Sequence, residues 1–372
     1  MKLAALLASC VLSASCLAQA APAIDKPAKP PAAPAASTPP ETQPVDRSTV
    51  RFGEKTAKPR TTGQVRIATY NAMNLFDSDP VTRTHSEGDP APIKPTEERE
   101  AIAAGIRAVD ADIVAMEEIE SLEVLKAFRD KYLAGMGYDH AQLVESEDPR
   151  GIDNAVLSRF PIVKTEAYND RKIGGQHPAR DGNRPNPLAG EDIKFRRTPL
   201  RVDIAIPTNA FNLKGGEGET VTFLVVHHKS GRGADYWRIA EAKGVVDIIK
   251  EIEAANPKAL VAVLGDFNGL ITDPNGKVYT EAGMFDVFSG RDAADPRNIS
   301  HESGRRIDLI LLNSNLKRQL VDDSAFIYGM PARPAGADWR NTLPPAGYGS
   351  DHYPVVIDID AKRAISATPS PK

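Results

Sequence analysis

Short apolar runs that each stop at polar residues recur along this chain. Residues 64–70 alternate in strand fashion and end at Asn71, the period expected of a half-buried strand. Residues 96–110 place Ile102, Ile106 and Val109 at helical spacing, with Glu97 and Glu98 in the first turn, where the helix dipole favours anions. Residues 112–116 read as a short buried strand that stops at Glu117 and Glu118. The pattern returns at 154–157 and at 221–226, which runs into His227. A helix is predicted over 234–254, with Val245, Ile248, Ile249 and Ile252 on one face. Residues 259–264 then run into Asp266, and 307–312 and 355–359 read as strands, the latter just after Asp351 and His352. Strands and helices interleave, but strand pairs with no helix between them predict mixed sheets.

Three stretches have little apolar content, residues 77–95, 169–197 and 330–350. Loops of that length in a compact domain are candidates to face a substrate. At the start, Lys2, the apolar residues 3–17 and Ala18-Gln19-Ala20 form an export signal, with cleavage expected after about Ala20. Leu7-Ala8-Ser9-Cys10 keeps lipidation at Cys10 as an alternative. The apolar run is too short for a membrane span, so a secreted or periplasmic monomer is expected. Residues 21–62, rich in Pro and Ala, read as a disordered extended spacer, and 362–372 as a frayed tail. One catalytic domain, 63–361, remains.

Composition narrows the chemistry. Of 372 residues, 2 are cysteines, Cys10 and Cys16, and both lie in the signal. A disulfide framework, cysteine-ligated zinc, an iron–sulfur centre and a cysteine nucleophile are thereby excluded from the body. The net charge of −4 argues against wholesale coating of nucleic acid, though not against a local site.

The polar residues that end the strands are the informative set: Asn71, Glu118, His227, Asp266, Asn268, Asp351 and His352. Strand ends converge on one rim of a sheet, so residues far apart in sequence can meet there. Each has a plainer reading alone: Asn268-Gly269 as a turn, Glu117-Glu118 as a solvated helix start, His227-His228-Lys229-Ser230 as a surface loop, Asp351-His352 as a strand cap. Together they offer carboxylates, amides and imidazoles without an activated serine motif. Oxygen-rich ligands suit a hard cation, Mg²⁺ or Mn²⁺, with Ca²⁺ admitted. Such an ion neutralises phosphate oxygens while histidines move protons, which points to phosphoester hydrolysis.

These residues resemble the motifs of the endonuclease/exonuclease/phosphatase superfamily, the deoxyribonuclease I-like proteins, and in particular its secreted bacterial members. The resemblance is carried in order by Ala68-Thr-Tyr-Asn71-Ala-Met-Asn74, Asp112-Ile-Val-Ala-Met-Glu117-Glu118, Gly151-Ile-Asp153-Asn-Ala-Val-Leu-Ser-Arg-Phe-Pro161, Val226-His227-His228-Lys229-Ser230, Leu264-Gly-Asp266-Phe-Asn268, Arg306-Ile-Asp308 and Gly349-Ser-Asp351-His352. It implies a four-layered α/β sandwich, two mixed β-sheets face to face with helices outside, and divalent-metal-dependent cleavage of a phosphoester. It further implies that Asn71, Glu118 and Asp351 hold the metal. His227 and His352 would bracket the scissile phosphate, Asp308 would orient His352, Asp266 with Asn268 would position water and phosphate, and Asp153 would orient His227. Two departures stand out: Glu117 occupies the family's usual glutamine position, adding a charge beside the metal, and His228 duplicates His227.

For the substrate, Arg150 and the basic residues Lys172, Arg180, Arg184, Lys194, Arg196 and Arg197, with Lys229, are candidates to bind a phosphate backbone. Asp181, Glu191 and Asp192 interleave with that stretch, so a solvated loop is the alternative. The expectation is an exported nuclease acting on DNA or RNA with low sequence specificity. Alternatives are a phospholipid or sphingomyelin headgroup phosphodiesterase, a phosphomonoesterase of the same fold, and an inactive binding module.

Overall fold

The computed structural model describes residues 47–77, 93–214, 218–338 and 340–366. The expected export signal, Cys10, most of the spacer and the last six residues lie outside them. In chain order the elements are β1 (Val65–Leu75), α1 (Thr96–Val109), β2 (Ile113–Ile119), α2 (Leu122–Tyr132), β3 (His140–Val144), β4 (Asp153–Ser158) and β5 (Ile162–Glu166). Four short strands follow, β6 (Lys172–Gln176), β7 (Arg180–Asp181), β8 (Arg184–Pro185) and β9 (Asp192–Lys194). Then come β10 (Leu200–Ile206), β11 (Glu219–His227), α3 (Asp235–Ala255), β12 (Leu260–Asp266), α4 (Pro274–Glu281) and β13 (Phe285–Asp286). The chain closes with β14 (Asp308–Leu312), α5 (Ser314–Lys317), β15 (Phe326–Ile327), β16 (Val355–Ile359) and α6 (Ala361–Ser366).

Two six-stranded sheets form, in the orders β15-β16-β1-β2-β4-β3 and β13-β14-β12-β11-β10-β5. Each is mixed. β1 runs parallel to β2 and β11 parallel to β12, while their other neighbours are antiparallel. The parallel pairs are the ones joined through a helix, α1 in one sheet and α3 in the other, because a parallel connection needs a crossover. With helices outside, this is the α/β sandwich expected.

Burial on both faces explains why the central strands are continuously apolar. In β11, Phe223 and Val225 enter the core shared with β1 and β2, whereas Leu224 and Val226 pack with Val245, Ile248 and Ile249 of α3. β12 and β14 divide likewise, Leu264 and Ile310 to the first core, Val263 and Leu309 to the second.

Three expectations change. Residues 47–62 are not spacer: Val50 is buried, and Val50 and Glu54 form bridges to Pro331 and Tyr328. The folded part therefore begins at or before Arg47, because this segment, unlike the Pro- and Ala-rich stretch before it, carries Val50 and Phe52 to bury. The stretch 169–197 is not an open loop but two small ribbons, β6 with β9 and β7 with β8. At the other end α6 continues to Ser366 beyond the expected start of the tail.

Candidate active site

The strand ends meet as the sequence pattern predicts. β11 and β12 are in register so that His227 faces Asp266 across the parallel pair, and Asp266 in turn faces Asp308 of β14. β1 and β2 reach the same place from the other sheet, and their ladder is disturbed between Asn71 and Leu75. Met73, Asn74, Glu118 and Asn268 all adopt positive φ. This concentration of left-handed backbone at one rim turns Glu118 out of the pleat, and it is the kind of local strain that functional sites carry.

Asp266 is the hub. Its Oδ2 accepts hydrogen bonds from Asn71 Nδ2 at 3.2 Å and Asn268 Nδ2 at 3.1 Å, and its Oδ1 accepts from the Asn268 amide at 2.8 Å. His227 Nε2 lies 3.5 Å and His352 Nε2 3.8 Å from the same Oδ2. His352 Nδ1 donates to Asp308 at 2.8 Å, and Ser300 Oγ donates to the other Asp308 oxygen at 2.6 Å while accepting the Ile307 and Asp308 amides at 3.1 Å. Asp308 thus holds the ring of His352 as expected.

The two imidazoles are driven apart in proton affinity. Burial, then the positive charges of Arg197 and Arg150, pushes His227 well below the ordinary histidine value. Burial also opposes the charged form of His352, but Asp308, Asp266 and Asp351 outweigh it and hold that ring well above the usual value. The environment thus biases the first toward the neutral form, suited to accept a proton, and the second toward the charged form, suited to donate one. Asp266 is itself pushed up to about 6 by burial, against the pull of His352.

His228 is resolved by geometry. Its Nε2 is 2.9 Å from the Tyr279 hydroxyl and its Nδ1 3.3 Å from Glu241, on the far side of the strand, so it is structural. Glu117 is corrected too. It is buried, accepts the Thr69 hydroxyl at 2.8 Å, and burial pushes its carboxyl well above the usual range despite that bond, with Asp308 and Asp266 adding to the rise. Burial therefore works against the extra charge expected at this position.

Among the metal candidates, Glu118 Oε1 is 3.7 Å from His227 Nε2, and its Oε2 accepts from the Asn74 amide at 3.0 Å and Arg150 at 3.2 Å. Asn71 Oδ1 accepts the Met73 amide at 2.9 Å. Asp351 lies beside a residue the sequence pattern did not reveal: His301 Nε2 is 3.2 Å from Asp351 Oδ2, and the His301 ring packs edge-on to His352 at 4.5 Å. The Ser303 amide donates to His301 Nδ1 at 2.9 Å, which puts the ring proton on Nε2, facing Asp351. Burial opposes ionisation of Asp351, but His301 and then His352 hold it well below the carboxylate range. His301, Asp351 and His352 bring ligand atoms within 4.8 Å of one another, as do Asp266, Asp308 and His352. Glu118 and Asp351 line one cavity of about 400 Å³, and two carboxylates with the Asn71 amide oxygen are a donor set that fits a hard divalent cation. His301 left no trace in the pattern because it stands in a polar hairpin, bridged to Arg305, with no apolar run to mark it.

Several expected contacts are not made. Asp153 Oδ1 accepts the Ser146 amide at 2.7 Å, while Asp153 Oδ2 and His227 Nδ1 are both buried without a partner, so no bond joins Asp153 to His227. Arg197 is buried, with its Nε 2.8 Å from Asp148 and a bond to the His228 carbonyl at 3.0 Å. Arg196 shares Asp148 at 3.3 Å, and Lys229 Nζ donates to the Ser230 carbonyl at 2.6 Å. These three brace the site's framework, and Arg196 and Arg197 are already neutralised. Lys172 and Lys194 pair with Asp192 and Asp170 at 2.5 and 3.0 Å, so these two charges on the ribbons are met within the stretch and not left for a phosphate backbone. Arg150 alone of the substrate candidates lines the cavity beside Asp351 and His352.

Known proteins are similar in fold. The human nocturnin catalytic domain, with a bound sulfate anion, superposes with a TM-score of 0.51 at 16% identity, covering 81% of this chain and 95% of that one. An endonuclease/exonuclease/phosphatase from Bacteroides vulgatus gives 0.49 at 15% identity, covering 80% and 98%, and truncated Caenorhabditis elegans TDP2 gives 0.46 at 17%, also covering 80% and 98%. No curated protein matches in sequence. The sequence profile of the Endonuclease/Exonuclease/phosphatase family matches residues 68–352, a span that contains every strand-end residue described above, and the chain belongs to that family of phosphoester hydrolases.

Proposed function

We propose that this chain is an exported, divalent-metal-dependent phosphodiesterase acting on DNA or RNA with low sequence specificity. The observation that carries the phosphodiesterase reading is the pair His227 and His352, set at 3.5 and 3.8 Å from one Asp266 oxygen and biased to opposite protonation states. A phosphodiester between them meets an acceptor on one side and a donor on the other. Asp266, with Asn268 and Asn71, orients the attacking water. His352, fixed by Asp308, donates to the phosphoryl oxygens or the leaving group. Asn71, Glu118 and Asp351, with His301 supporting Asp351, would hold Mg²⁺ or Mn²⁺, which neutralises charge building on the phosphate. Support for a nucleic-acid substrate is narrower than the basic stretch implied and rests on Arg150 at the cavity. Large apolar residues exposed among those described, Ile93, Val163 and Leu343, are scattered and form no lipid-facing hairpin.

The test is hydrolysis of plasmid DNA, RNA and a phosphocholine lipid by the purified protein across a panel of metals. Nucleic acid should be degraded with Mg²⁺ or Mn²⁺ and spared when chelator removes the ion. His227→Ala and His352→Ala should each lower the rate by about 10² or more. Intact nucleic acid beside rapid lipid hydrolysis overturns the nuclease reading, and near-normal rates in either variant overturn the assigned roles.

A further inference from the structure

The cavity that holds Glu118, Asp351 and His352 has one wall that the family region does not supply. Arg51 lines it, yet the family match begins at residue 68. Arg51 is carried by the segment 47–60 that precedes β1. We propose that Arg51 forms a second anion subsite in this cavity that takes a phosphate neighbouring the scissile one, so that this enzyme prefers phosphodiesters in a phosphate-bearing chain over isolated ones. The inference rests on the phosphodiesterase reading and adds a substrate feature to it.

The segment is seated by its own sequence. Gly53 has φ +75, and a Cβ there would stand 2.6 Å from the Gly329 amide nitrogen; a Cβ on Gly329 would stand 2.2 Å from the Phe52 carbonyl oxygen. Two glycines thus let the two backbones touch. The Glu54 amide donates to Ile327 at 2.7 Å and the Gly329 amide returns to Glu54 at 2.9 Å. Arg47 donates to the Gly329 carbonyl at 2.8 Å and the Tyr328 hydroxyl at 3.0 Å. Phe52 packs near Tyr353 at 6.2 Å, directly after His352 in the chain. Arg51 is therefore presented to the cavity from a fixed support.

Its charge is also available. The Arg51 guanidinium donates to the Arg333 carbonyl at 2.8 Å and lies 4.7 Å over the Phe52 ring, and no carboxylate among the described residues pairs with it. The other arginines of this wall differ: Arg333 is held by Glu302 at 3.0 Å and Tyr348 at 2.6 Å, and Arg150 by Glu118 at 3.2 Å. A guanidinium has five N–H donors in a fork that matches phosphate oxygens, and the Arg333 carbonyl occupies one end of it. A volume of about 400 Å³ falls within the range of small-ligand sites and admits a nucleotide-sized group.

The test compares Arg51→Ala and Arg51→Lys with the wild type on two substrates, bis(4-nitrophenyl) phosphate, which has no neighbouring phosphate, and a dinucleotide with a terminal phosphate. Arg51→Ala should raise KM for the dinucleotide at least about tenfold, the loss expected for a charge-assisted contact. Its kcat should stay within about twofold, and turnover of the simple diester should not change. Arg51→Lys should recover part of the loss. An unchanged KM, or an equal loss on both substrates, overturns the subsite. Calorimetric titration with thymidine 3′,5′-bisphosphate and thymidine 5′-phosphate reads the subsite apart from turnover: the wild type should favour the bisphosphate, and Arg51→Ala should lose that preference. If the wild type cleaves neither diester, the phosphodiesterase reading fails on its own. A wild type that then shows no preference between the two nucleotides overturns the Arg51 subsite as well.

Discussion

At the scale of single residues, burial moves proton affinities, and two carboxyl groups besides Asp266 show it. Burial pushes the Glu117 carboxyl well above the usual range at a position where the sequence alone reads as an extra charge, because the side chain turns between the sheets, onto Thr69 and toward Gly265. Asp153 is pushed up to about 7, chiefly by burial and against its bonds to Ser146. An unfolded aspartate has a pKa of about 3.9. Between roughly pH 4 and 7 the folded protein therefore keeps a proton that the unfolded chain has released, and this contribution to stability is lost as pH rises through the folded value. Asparagine retains an oxygen for the Ser146 amide and never ionises. Asp153→Asn should thus unfold in urea much like the wild type near pH 4, and at progressively higher midpoints than the wild type as pH approaches 8. A difference that does not vary with pH would show that Asp153 is ionised in the folded protein at all these values.

At the scale of elements, the catalytic group is assembled by strand ends, and the junction of β11 and β12 is its most constrained part. Gly265 has φ +135, and a Cβ there would lie 2.0 Å from the Val226 carbonyl oxygen and 3.0 Å from Glu117 Oε1. Any side chain must push β12 from β11 and crowd Glu117, and the residues next in line to be displaced are His227 and Asp266. Gly265→Ala should destabilise the fold by about 4 kcal/mol or more, and the rate should fall in whatever fraction remains folded. An unfolding free energy within about 1 kcal/mol of the wild type would show that the junction relaxes. This junction was legible because strands buried on both faces are continuous apolar runs, so the polar residue that ends each one stands out. Elements lacking that contrast were missed. β5 is mostly solvent-facing, with Lys164 and Glu166 on an edge. The ribbons of 172–194 are rich in glycine and charge. α2 depends on the Ser121 cap and a short apolar face. Of the site, His227, Asp266 and His352 followed from their positions after or before apolar runs and Asp308 only from the family resemblance, whereas His301 and Arg51 are brought in by hairpin and arm packing, which no local period records.

At the scale of the whole molecule, the boundary of the folded part decides both stability and access to the cavity. Composition placed it at residue 63, since residues before it are poor in large apolar groups. The structure instead lays residues 47–60 against the segment that continues from β15. Val50 is buried, Lys58 donates to the Asp323 and Ala325 carbonyls at 2.6 and 3.0 Å, and Arg60 pairs with Asp112 at the start of β2. A chain beginning at Gly63 would expose Tyr328 and leave the amide and carbonyl of residues 327–329 to water. Losing one buried valine and several part-buried hydrogen bonds should lower the unfolding free energy by about 3 kcal/mol. A chain beginning at Val45 should unfold at the same denaturant concentration as the protein without its first twenty residues, since what it lacks is the Pro- and Ala-rich stretch. The two shortened chains therefore separate the Pro- and Ala-rich stretch from the arm. Equal midpoints for both would show that residues 47–62 add nothing to the fold, and an arm so weakly held could not present Arg51 to the cavity.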